Sequence, residues 1–523
     1  MSGFRTLDPG ELTTPITHRE VERKVRVPAD FELPPLGGIV PGVTDVVAGE
    51  PFTMVAAYHD THDLRLIRWG ATLRRREGGP DEGWHLKLPV ADEEPLVRDE
   101  IALPLDAGDV GHVPSAIADL VRALVREAPM VHVVTVRTRR APYALLDGTG
   151  VPVAELVDDR VEVVEDGVVV RSFREIEVEA RSGPSRSTTT VLDTVAAALV
   201  ASGGTPGIRS KATEAIGPRG SGAPDVSVPP WPRAKDPASE TIRCVLATNV
   251  QAFLLADVRV RRNLTDSVHQ MRVAARTLRS ALRTFAPLVD DEWSTTLRAE
   301  LRSAAEALAT LRDTEVHLAR LETHAGLLPL EDREHAVRVI DVWLRERLEA
   351  ARAVADAELR SERHLRLLTD LVEAARDPRF TSAAHEPAGD AFPPLVRKAS
   401  RKLAKAVERL SADSSAAEWH RARILAKRAR YAADATAPVL GKRARRWGEA
   451  LVGVTDLLGD LHDSSVAQQT LRELAAHPEI DGRTGYALGL LHGVEVDRER
   501  EDKDGFALLW PRVRRTLADH PLR

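Results

Sequence analysis

Short runs in the first 180 residues alternate charged residues with apolar or neutral ones. Residues 19–27, for example, read REVERKVRV, in which every second residue from position 20 is charged and the positions between hold three valines and two arginines. Successive side chains of a β-strand point to opposite faces, so one face of this run is charged and the other is mostly apolar. The charged face carries Glu20, Glu22, Lys24 and Arg26. The pattern predicts a strand with one charged face.

The same alternation recurs in five later runs. It groups Arg74 with Arg76, His85 with Lys87, Arg98 with Glu100, Arg137 with Arg139, and Glu175 with Glu177 and Glu179. Acids in the first and last runs, with bases between them, predict a closed barrel lined with charge. Such a lining is costly unless it meets a charged ligand. The alternative is a sheet with one solvated face that carries cross-strand ion pairs.

The second half of the chain has a helical pattern. Alanine, leucine and arginine dominate from Ser239 onward, and apolar residues recur at helical spacing. A segment dense in glycine, proline and serine precedes it. We therefore predict an α+β protein with an antiparallel barrel domain at 15–216, a linker at 217–237 and an all-α domain at 238–516.

The helical half contains one motif twice. Both copies read H-x-x-R-[VI]-x-x-[RK]-x-x-R, beginning at His269 and His420, and an aspartate follows each at nearly the same distance, Asp313 and Asp463. Such repetition predicts two helical bundles related by a pseudo-twofold axis. At helical spacing, each copy places its histidine and three cations on one face. The two sets are His269, Arg272, Arg276 and Arg279, and His420, Arg423, Lys427 and Arg430.

These two basic stripes favour an anionic ligand. If the bundles face each other, the stripes line one groove that suits a long polyanion without reading a sequence. The alternative is two exposed, solvated faces. The neighbouring cations argue against a metal site on the histidines.

Composition narrows the partners. A chain of 523 residues is long enough for two or more domains. Its single cysteine, Cys244, excludes intrachain disulfides and fits a reducing cytosol. We expect no signal sequence, no apolar stretch that spans a membrane, and a cytoplasmic location. A net charge of −6 gives no reason to expect a sequence-specific nucleic-acid partner.

The charged runs resemble the CYTH, or triphosphate tunnel metalloenzyme, superfamily. Residues 20–24 fit its E-x-E-x-K signature, residues 58–64 look like its Y-x-D-T-x-D/N-L segment, and the basic runs and residues 174–179 are similar to the strands that follow. Arg137 and Arg139 stand where the family usually has K-x-R. The resemblance implies a tunnel of about eight antiparallel strands. It also implies a triphosphate-bearing substrate and a divalent metal, usually for hydrolysis.

Residue chemistry and this resemblance together predict roles in the tunnel. Clustered carboxylates suit Mg²⁺ or Mn²⁺, and the arginine fork suits phosphate. The predicted metal ligands are Glu20, Glu22, Glu100, Glu175, Glu177 and Glu179. The predicted substrate-binding residues are Arg26, Arg74, Arg76, Lys87, Arg98, Arg137 and Arg139. The predicted catalytic residues are Glu20, Glu22 and Lys24.

The helical half resembles the CHAD domain, on both H-x-x-R copies and the two aspartates. The resemblance implies that the two basic stripes bind inorganic polyphosphate. Further cations could extend that surface, namely Lys398, Arg401, Lys402, Lys405, Lys442, Arg443, Arg445 and Arg446.

The leading functional hypothesis is a metal-dependent phosphohydrolase for triphosphate or short polyphosphate, with a polyphosphate-binding partner domain. Two alternatives stay open. One is a CYTH enzyme that acts on a nucleotide or thiamine triphosphate, including an adenylate cyclase. The other is a non-catalytic protein that binds polyphosphate or associates with polyphosphate granules. The sequence leaves the oligomeric state open.

Overall fold

A computed structural model of the chain describes residues 16–90, 97–181 and 186–519. Residue 15, where the predicted barrel domain begins, lies outside this range. The chain divides into two compact units, residues 1–225 and residues 226–523. The division falls within the segment 217–237, part of which, Gly217–Ser221, is a short 3-10 helix.

The first unit is built mainly from strands. They are β1 (Ile16–Val27), β2 (Asp45–Ala48), β3 (Phe52–Thr61), β4 (Thr72–Glu77), β5 (Gly83–Pro89), β6 (Val97–Leu103), β7 (Met130–Leu146), β8 (Pro152–Glu165), β9 (Val168–Ala180) and β10 (Thr205–Pro206). Its helices are α1 (Arg65–Arg68), α2 (Ser115–Leu120), α3 (Arg122–Val125), α4 (Arg186–Ala201) and α5 (Lys211–Ile216).

Eight of these strands close into an antiparallel barrel. The strand order is β1-β6-β5-β4-β3-β7-β8-β9, and β9 pairs back with β1. The short strands β2 and β10 pair with β7 and β1 outside this ring. The β8–β9 hairpin turns at Asp166-Gly167, where both residues have positive φ, as a tight hairpin turn requires. The predicted barrel is confirmed.

The apolar face of the barrel wall points outward. Val21 and Val25 of β1 and Ile176 of β9 are buried in one cluster with Leu192 and Leu199 of α4. Burial of these side chains against the helix stabilises the wall from outside. The alternation of side chains then directs the charged face of the same strands into the barrel.

One end of the barrel interior is apolar. Tyr58, Val134 and Val163 pack there with Ala212 and Ala215 of α5. The short helix α5 therefore closes this end. Ser210 caps the helix by accepting a hydrogen bond from the Thr213 backbone N–H.

The second unit is helical. Its helices are α6 (Ala238–Arg261), α7 (Ser267–Thr284), α8 (Asp291–Ala307), α9 (Ala309–Ala325), α10 (Leu330–Arg360), α11 (Glu362–Arg376), α12 (Ala388–Val407), α13 (Ala416–Leu440), α14 (Lys442–Ala475) and α15 (Gly482–Asp519). The two histidine motifs begin near the starts of α7 and α13, which contact each other. The predicted helical region is confirmed, and the pseudo-twofold relation of two bundles stays a prediction.

One helix, α6, differs from the sequence expectation. It is long and apolar enough to cross a membrane, with a mean hydropathy of 1.3 over its best 18-residue window. However, 67% of that window is buried inside the protein. Phe253 and Leu254 are fully buried, as a core helix of a bundle requires.

Candidate functional site

The charged inner face of the barrel surrounds a cavity of about 90 Å³. Acids from β1, β6 and β9 and bases from β1, β4, β5 and β6 line it together. These predicted residues are Glu20, Glu22, Lys24, Arg74, Arg76, Lys87, Arg98, Glu100, Glu177 and Glu179. Strand register brings acids beside bases, since Glu20 lies opposite Arg98 and Lys87 opposite Glu100. The structure thus brings together most of the side chains that the alternation predicted.

Ion pairs hold much of this lining. Lys87 Nζ lies 2.6 Å from both carboxylate oxygens of Glu20, and Lys24 Nζ lies 2.6 Å from Glu177 Oε1. Burial alone would lower the pKa of Lys24, but Glu177 and Glu22 raise it well above its ordinary value. Glu100 accepts a hydrogen bond from His85 at 2.9 Å. The cavity therefore keeps its charges by pairing them.

Glu179 is the exception. It lies opposite Glu22 across the β1–β9 pairing and lines the cavity, yet within the described residues it forms no ion pair. Burial, with the nearby charge of Glu20, raises its pKa to about 8. The nearby charge of Lys87 offsets this rise only in part, so Glu179 marks the place where the acids of the lining outweigh its positive charge.

Two of the predicted substrate-binding residues lie elsewhere. Arg137 and Arg139 are exposed on the outer face of β7, where Arg137 Nε lies 2.7 Å from Glu162 Oε2. The prediction that they line the tunnel is wrong, because the inward positions of this strand are Thr138 and Arg140. The tunnel arginine is Arg140, which donates to both carboxylate oxygens of Asp159 at 2.8 and 2.7 Å.

Arg26 lies on the predicted face but beyond the cavity lining. Its guanidinium stacks over the Phe173 ring at 3.8 Å and lies 3.8 Å from Glu175. Glu175 is buried just outside the cavity, and Lys211 Nζ lies 2.8 Å from it. Both residues therefore belong to the end of the barrel that α5 closes.

Sequence reasoning missed several charged side chains of the site, among them Arg140, Asp159 and Lys211. Arg140 stands next to Arg139, so the arginine run offers cations to both faces and the alternation alone could not choose between them. Lys211 comes from α5, after the barrel, and no strand pattern reveals it. Asp60, from the segment that resembles Y-x-D-T-x-D/N-L, has a structural part, since it accepts hydrogen bonds from the backbone N–H groups of Leu66 and Ile67.

The helical unit has its own basic cavity, of about 490 Å³, between α7, α8 and α13. Its lining contains seven cations and, among the described residues, no acid: Arg276, Arg279, Arg283, Arg298, Arg302, Lys427 and Arg428. Arg276 donates to the Tyr431 hydroxyl at 2.7 Å. Burial, with Arg423 and Arg276, lowers the pKa of Lys427 to about 7. Cations this crowded need an anion to offset them.

Two adjacent cavities continue this surface. These two cavities have volumes of about 190 and 600 Å³. Arg283 lines the 490 and 190 Å³ cavities, Lys402 lines the 190 and 600 Å³ cavities, and Arg428 lines all three. Their further cations include Lys398, Lys405, Arg409 and Arg421. The three cavities, which we call the basic track, form one run of positive charge along α7, α8, α12 and α13.

The two predicted stripes reach this track only in part. Arg276, Arg279 and Lys427 line it. In contrast, Arg272 pairs with Asp313 at 2.8 Å, and Arg430 donates to Thr455 of α14 at 2.9 Å. Among the described residues, the cavities that form the track include none of His269, His420 and Arg423. Arg423 and Lys427 of α13 nevertheless lie close enough to Arg272 and Arg276 of α7 for their charges to act on one another, so the shared groove of all eight residues stays a prediction.

Comparisons with known proteins agree with the division of the chain into a barrel unit and a helical unit. The model of the CYTH domain matches residues 18–198, and the model of the CHAD domain matches residues 244–472. Rv2226, an uncharacterized protein of Mycobacterium tuberculosis, is 32% identical over 514 residues, which cover 94% of this chain and 95% of that protein. The chain belongs to the CYTH–CHAD fusion family.

Two solved structures each cover part of this CYTH–CHAD protein. PptA from Streptomyces chartreusis is 25% identical and covers 53% of this chain and 99% of its own, with a TM-score of 0.45. HpAC1 of Hippeastrum, an adenylyl cyclase candidate with a dominant triphosphatase activity, is 21% identical and covers 37% of this chain and 93% of its own, with a TM-score of 0.25.

CYTH domains are triphosphate tunnel metalloenzymes that use divalent metals. Within residues 16–90, 97–181 and 186–519, no group of three His, Cys, Asp or Glu side chains is arranged as a ready metal site. The donor chemistry nevertheless fits a hard cation, because Glu20, Glu22 and Glu179 offer carboxylate oxygens to the cavity from the neighbouring strands β1 and β9. The carboxylate of Glu20 is directed toward Lys87 and not toward Glu22 and Glu179, so the three acids do not form a ready metal site.

Proposed function

We propose that the CYTH barrel hydrolyses triphosphate or short inorganic polyphosphate with Mg²⁺ or Mn²⁺, and that the CHAD domain holds longer polyphosphate on its basic track. The observation that carries the first part is the split lining of the tunnel. Basic side chains from several strands surround the cavity, and a group of acids with too little positive charge lies at one side. Anion binding alone would not require those acids.

The basic residues would bind and orient the phosphates. Arg74 lies 3.7 Å from Glu100, and Arg76 is buried against Asp81 and His85. These contacts fix the positions of both guanidinium groups before an anion arrives. Donors fixed in this way stabilise charge that develops in the transition state without reorganising.

The acids would hold the metal and direct water. A divalent cation on Glu20, Glu22 and Glu179 would supply charge neutralisation and lower the pKa of a bound water. Glu22 lies between Lys24 and Glu179, because Lys24 Nζ is 3.7 Å from Glu22 Oε1 and Glu179 lies opposite it. Lys24 would then neutralise charge on the phosphoryl oxygens, while the tunnel wall restricts water.

Phosphate release from tripolyphosphate tests this function. The full chain should release phosphate with Mg²⁺ or Mn²⁺ and lose that activity with a chelator. ATP should be assayed beside it, with both cyclic AMP and phosphate measured. Cyclic AMP as the main product would favour the cyclase alternative, and no turnover of any triphosphate would leave only a binding role.

The basic track supports the second part of the proposal. Its cations are partly exposed, lie on four helices and meet few acids, which suits a flexible anion of repeated phosphates. Affinity should rise with the number of phosphates until a chain spans the three cavities. Binding assays with polyphosphates of graded length would check this relation.

A further inference from the structure

Lys211 is a buried cation of the tunnel that comes from helix α5 and not from a strand of the barrel wall. Its side chain is 8% exposed, and its Nζ lies 2.7 Å from Glu177 Oε1, 2.8 Å from Glu175 Oε1 and 3.0 Å from Asp159 Oδ2. Three carboxylates from two strands thus converge on one ammonium group. Oxygen atoms from several carboxylates around one centre are also what a divalent cation takes.

The backbone around Lys211 fixes this position. Ser210 caps α5, and Ala212 and Ala215 pack into the apolar end of the barrel. Just before the helix, the backbone N–H of Gly207 donates to the Lys24 carbonyl at 2.8 Å. The ammonium group is therefore held by a capped, packed helix and does not swing freely as an exposed lysine does.

Positive charge is distributed unevenly along the tunnel. At the α5 end, Glu175, Glu177 and Asp159 meet Lys24, Arg140 and Lys211. At the other side, Glu179 lies opposite Glu22 and forms no ion pair among the described residues, while the nearby Lys87 is held by both carboxylate oxygens of Glu20. A divalent cation near Lys211 would lie against a like charge, whereas one near Glu179 would relieve repulsion between acids.

We propose that Lys211 takes the place of a divalent cation at Glu175, Glu177 and Asp159, so that the tunnel binds one metal ion, at Glu20, Glu22 and Glu179. The inference rests on the proposed metal-dependent function of the barrel. It removes Glu175 and Glu177 from the metal ligands that the sequence predicted. It also gives α5 a part in metal selection besides closing the barrel.

Counting Mn²⁺ sites in the full chain tests the proposal. Lys211→Met keeps the side chain unbranched, shortens it by one atom and removes its charge, so titration calorimetry should show one more Mn²⁺ per chain than in the parent. Lys211→Arg keeps the charge and should bind the parental number. Adding Glu175→Gln to Lys211→Met should abolish the extra site, and Glu179→Gln alone should abolish the parental tunnel site.

Each outcome separates this inference from the proposed function. If Glu179→Gln loses no Mn²⁺ because the parental tunnel binds none, the metal-dependent function fails. If the parent binds metal and Lys211→Met gains no site, Lys211 is a structural or substrate-binding lysine only, and the inference is overturned. Loss of a site in Lys211→Met would overturn it as well.

Thermal unfolding guards against a variant that does not fold. Mn²⁺ should raise the Tm of Lys211→Met more than that of the parent, since the ion would replace the missing charge. If Lys211→Met folds only with Mn²⁺, that result supports the proposal. The double variant Lys211→Met with Glu175→Gln removes one charge of each sign and should fold without metal, with the parental Mn²⁺ response. Equal Mn²⁺ responses of Lys211→Met and the parent would contradict it.

Discussion

The barrel and the helical domain both contain clustered cations, but the two clusters differ in how many of the cations pair with acids. In the barrel, buried bases pair with acids at close range, as Lys87 does with Glu20 at 2.6 Å. In the basic track, Arg276, Lys427 and Arg428 face one another across a cavity without an acid in its lining. Paired charges in a closed interior suit a compact anion with a metal. Cations that outnumber the acids on an open surface suit a long and flexible polyanion.

This contrast predicts the largest effect for the barrel acids. Glu22→Gln should lower hydrolysis of tripolyphosphate by ~100-fold or more while triphosphate binding persists, because the acids hold metal and the bases hold substrate. Steady-state phosphate release and equilibrium binding would measure both properties. The control is Glu162→Gln, since Glu162 pairs with Arg137 on the outer face. Parental turnover in Glu22→Gln would show that the metal ligands are misassigned.

Arginines on the two faces of β7 sharpen the comparison within the barrel. Arg140→Ala should lower the free energy of unfolding by about 3–5 kcal/mol, because it leaves Asp159 and Glu177 buried with less positive charge. It should also raise KM for tripolyphosphate. Arg139→Ala, one position away and exposed, should change stability by only about 0.5 kcal/mol or less. Urea denaturation compares the two, and equal losses would contradict the assignment of faces.

Charge reversal in the basic track should act on long polyphosphate alone. Arg276→Glu with Arg279→Glu should weaken binding of long chains by about tenfold or more at low salt, with a shallower salt dependence than the parent. Hydrolysis of tripolyphosphate in the barrel should stay at the parental rate. Arg483→Glu, on an exposed part of α15, is the matched control. If Arg276→Ala and Lys427→Ala act additively on affinity, the two helices do not share one ligand.

The smallest effect concerns pH. Lys427 has a pKa lowered to about 7 by burial and by Arg423, so it loses its charge as the pH rises through that value. A bound polyanion favours the charged form, so affinity should fall from about pH 6 to about pH 8, by at most about tenfold per pH unit. His462, with a pKa lowered to about 4, titrates below this window. Lys427→Arg should give a flatter profile in calorimetry at each pH, and an unchanged slope would place the titration on another group.

Side-chain alternation predicted much of the barrel. Val21 and Val25 on one face of β1, with Glu20 and Glu22 on the other, fix which side of the wall packs against a helix and which lines the tunnel. The same rule failed at β7, where arginines occupy both faces and the apolar Val134 and Val136 lie inside the barrel. Alternation identifies two faces, but only packing decides which face is interior.

Site residues that depend on long-range contacts could not be predicted from the sequence. Lys211 meets Asp159, Glu175 and Glu177 because α5 folds back across the barrel, and no local pattern encodes that return. In the helical domain, Arg298 and Arg302 of α8 join the basic track although they lie outside both histidine motifs. The sequence motifs therefore identify some residues of each site, and the others are brought there by tertiary packing.

Closure of the barrel also restricts the route of a substrate. Among the described strands the wall closes on itself without a free edge, and α5 and the apolar residues around it pack at one end. If the barrel has the proposed activity, a linear phosphate chain would enter from the opposite end and present its terminus to the tunnel, not its middle. Cleavage would proceed from chain ends, and each product would leave through the opening that the next substrate needs. A cyclic polyphosphate, which has no terminus, would resist the barrel however tightly the helical domain held it.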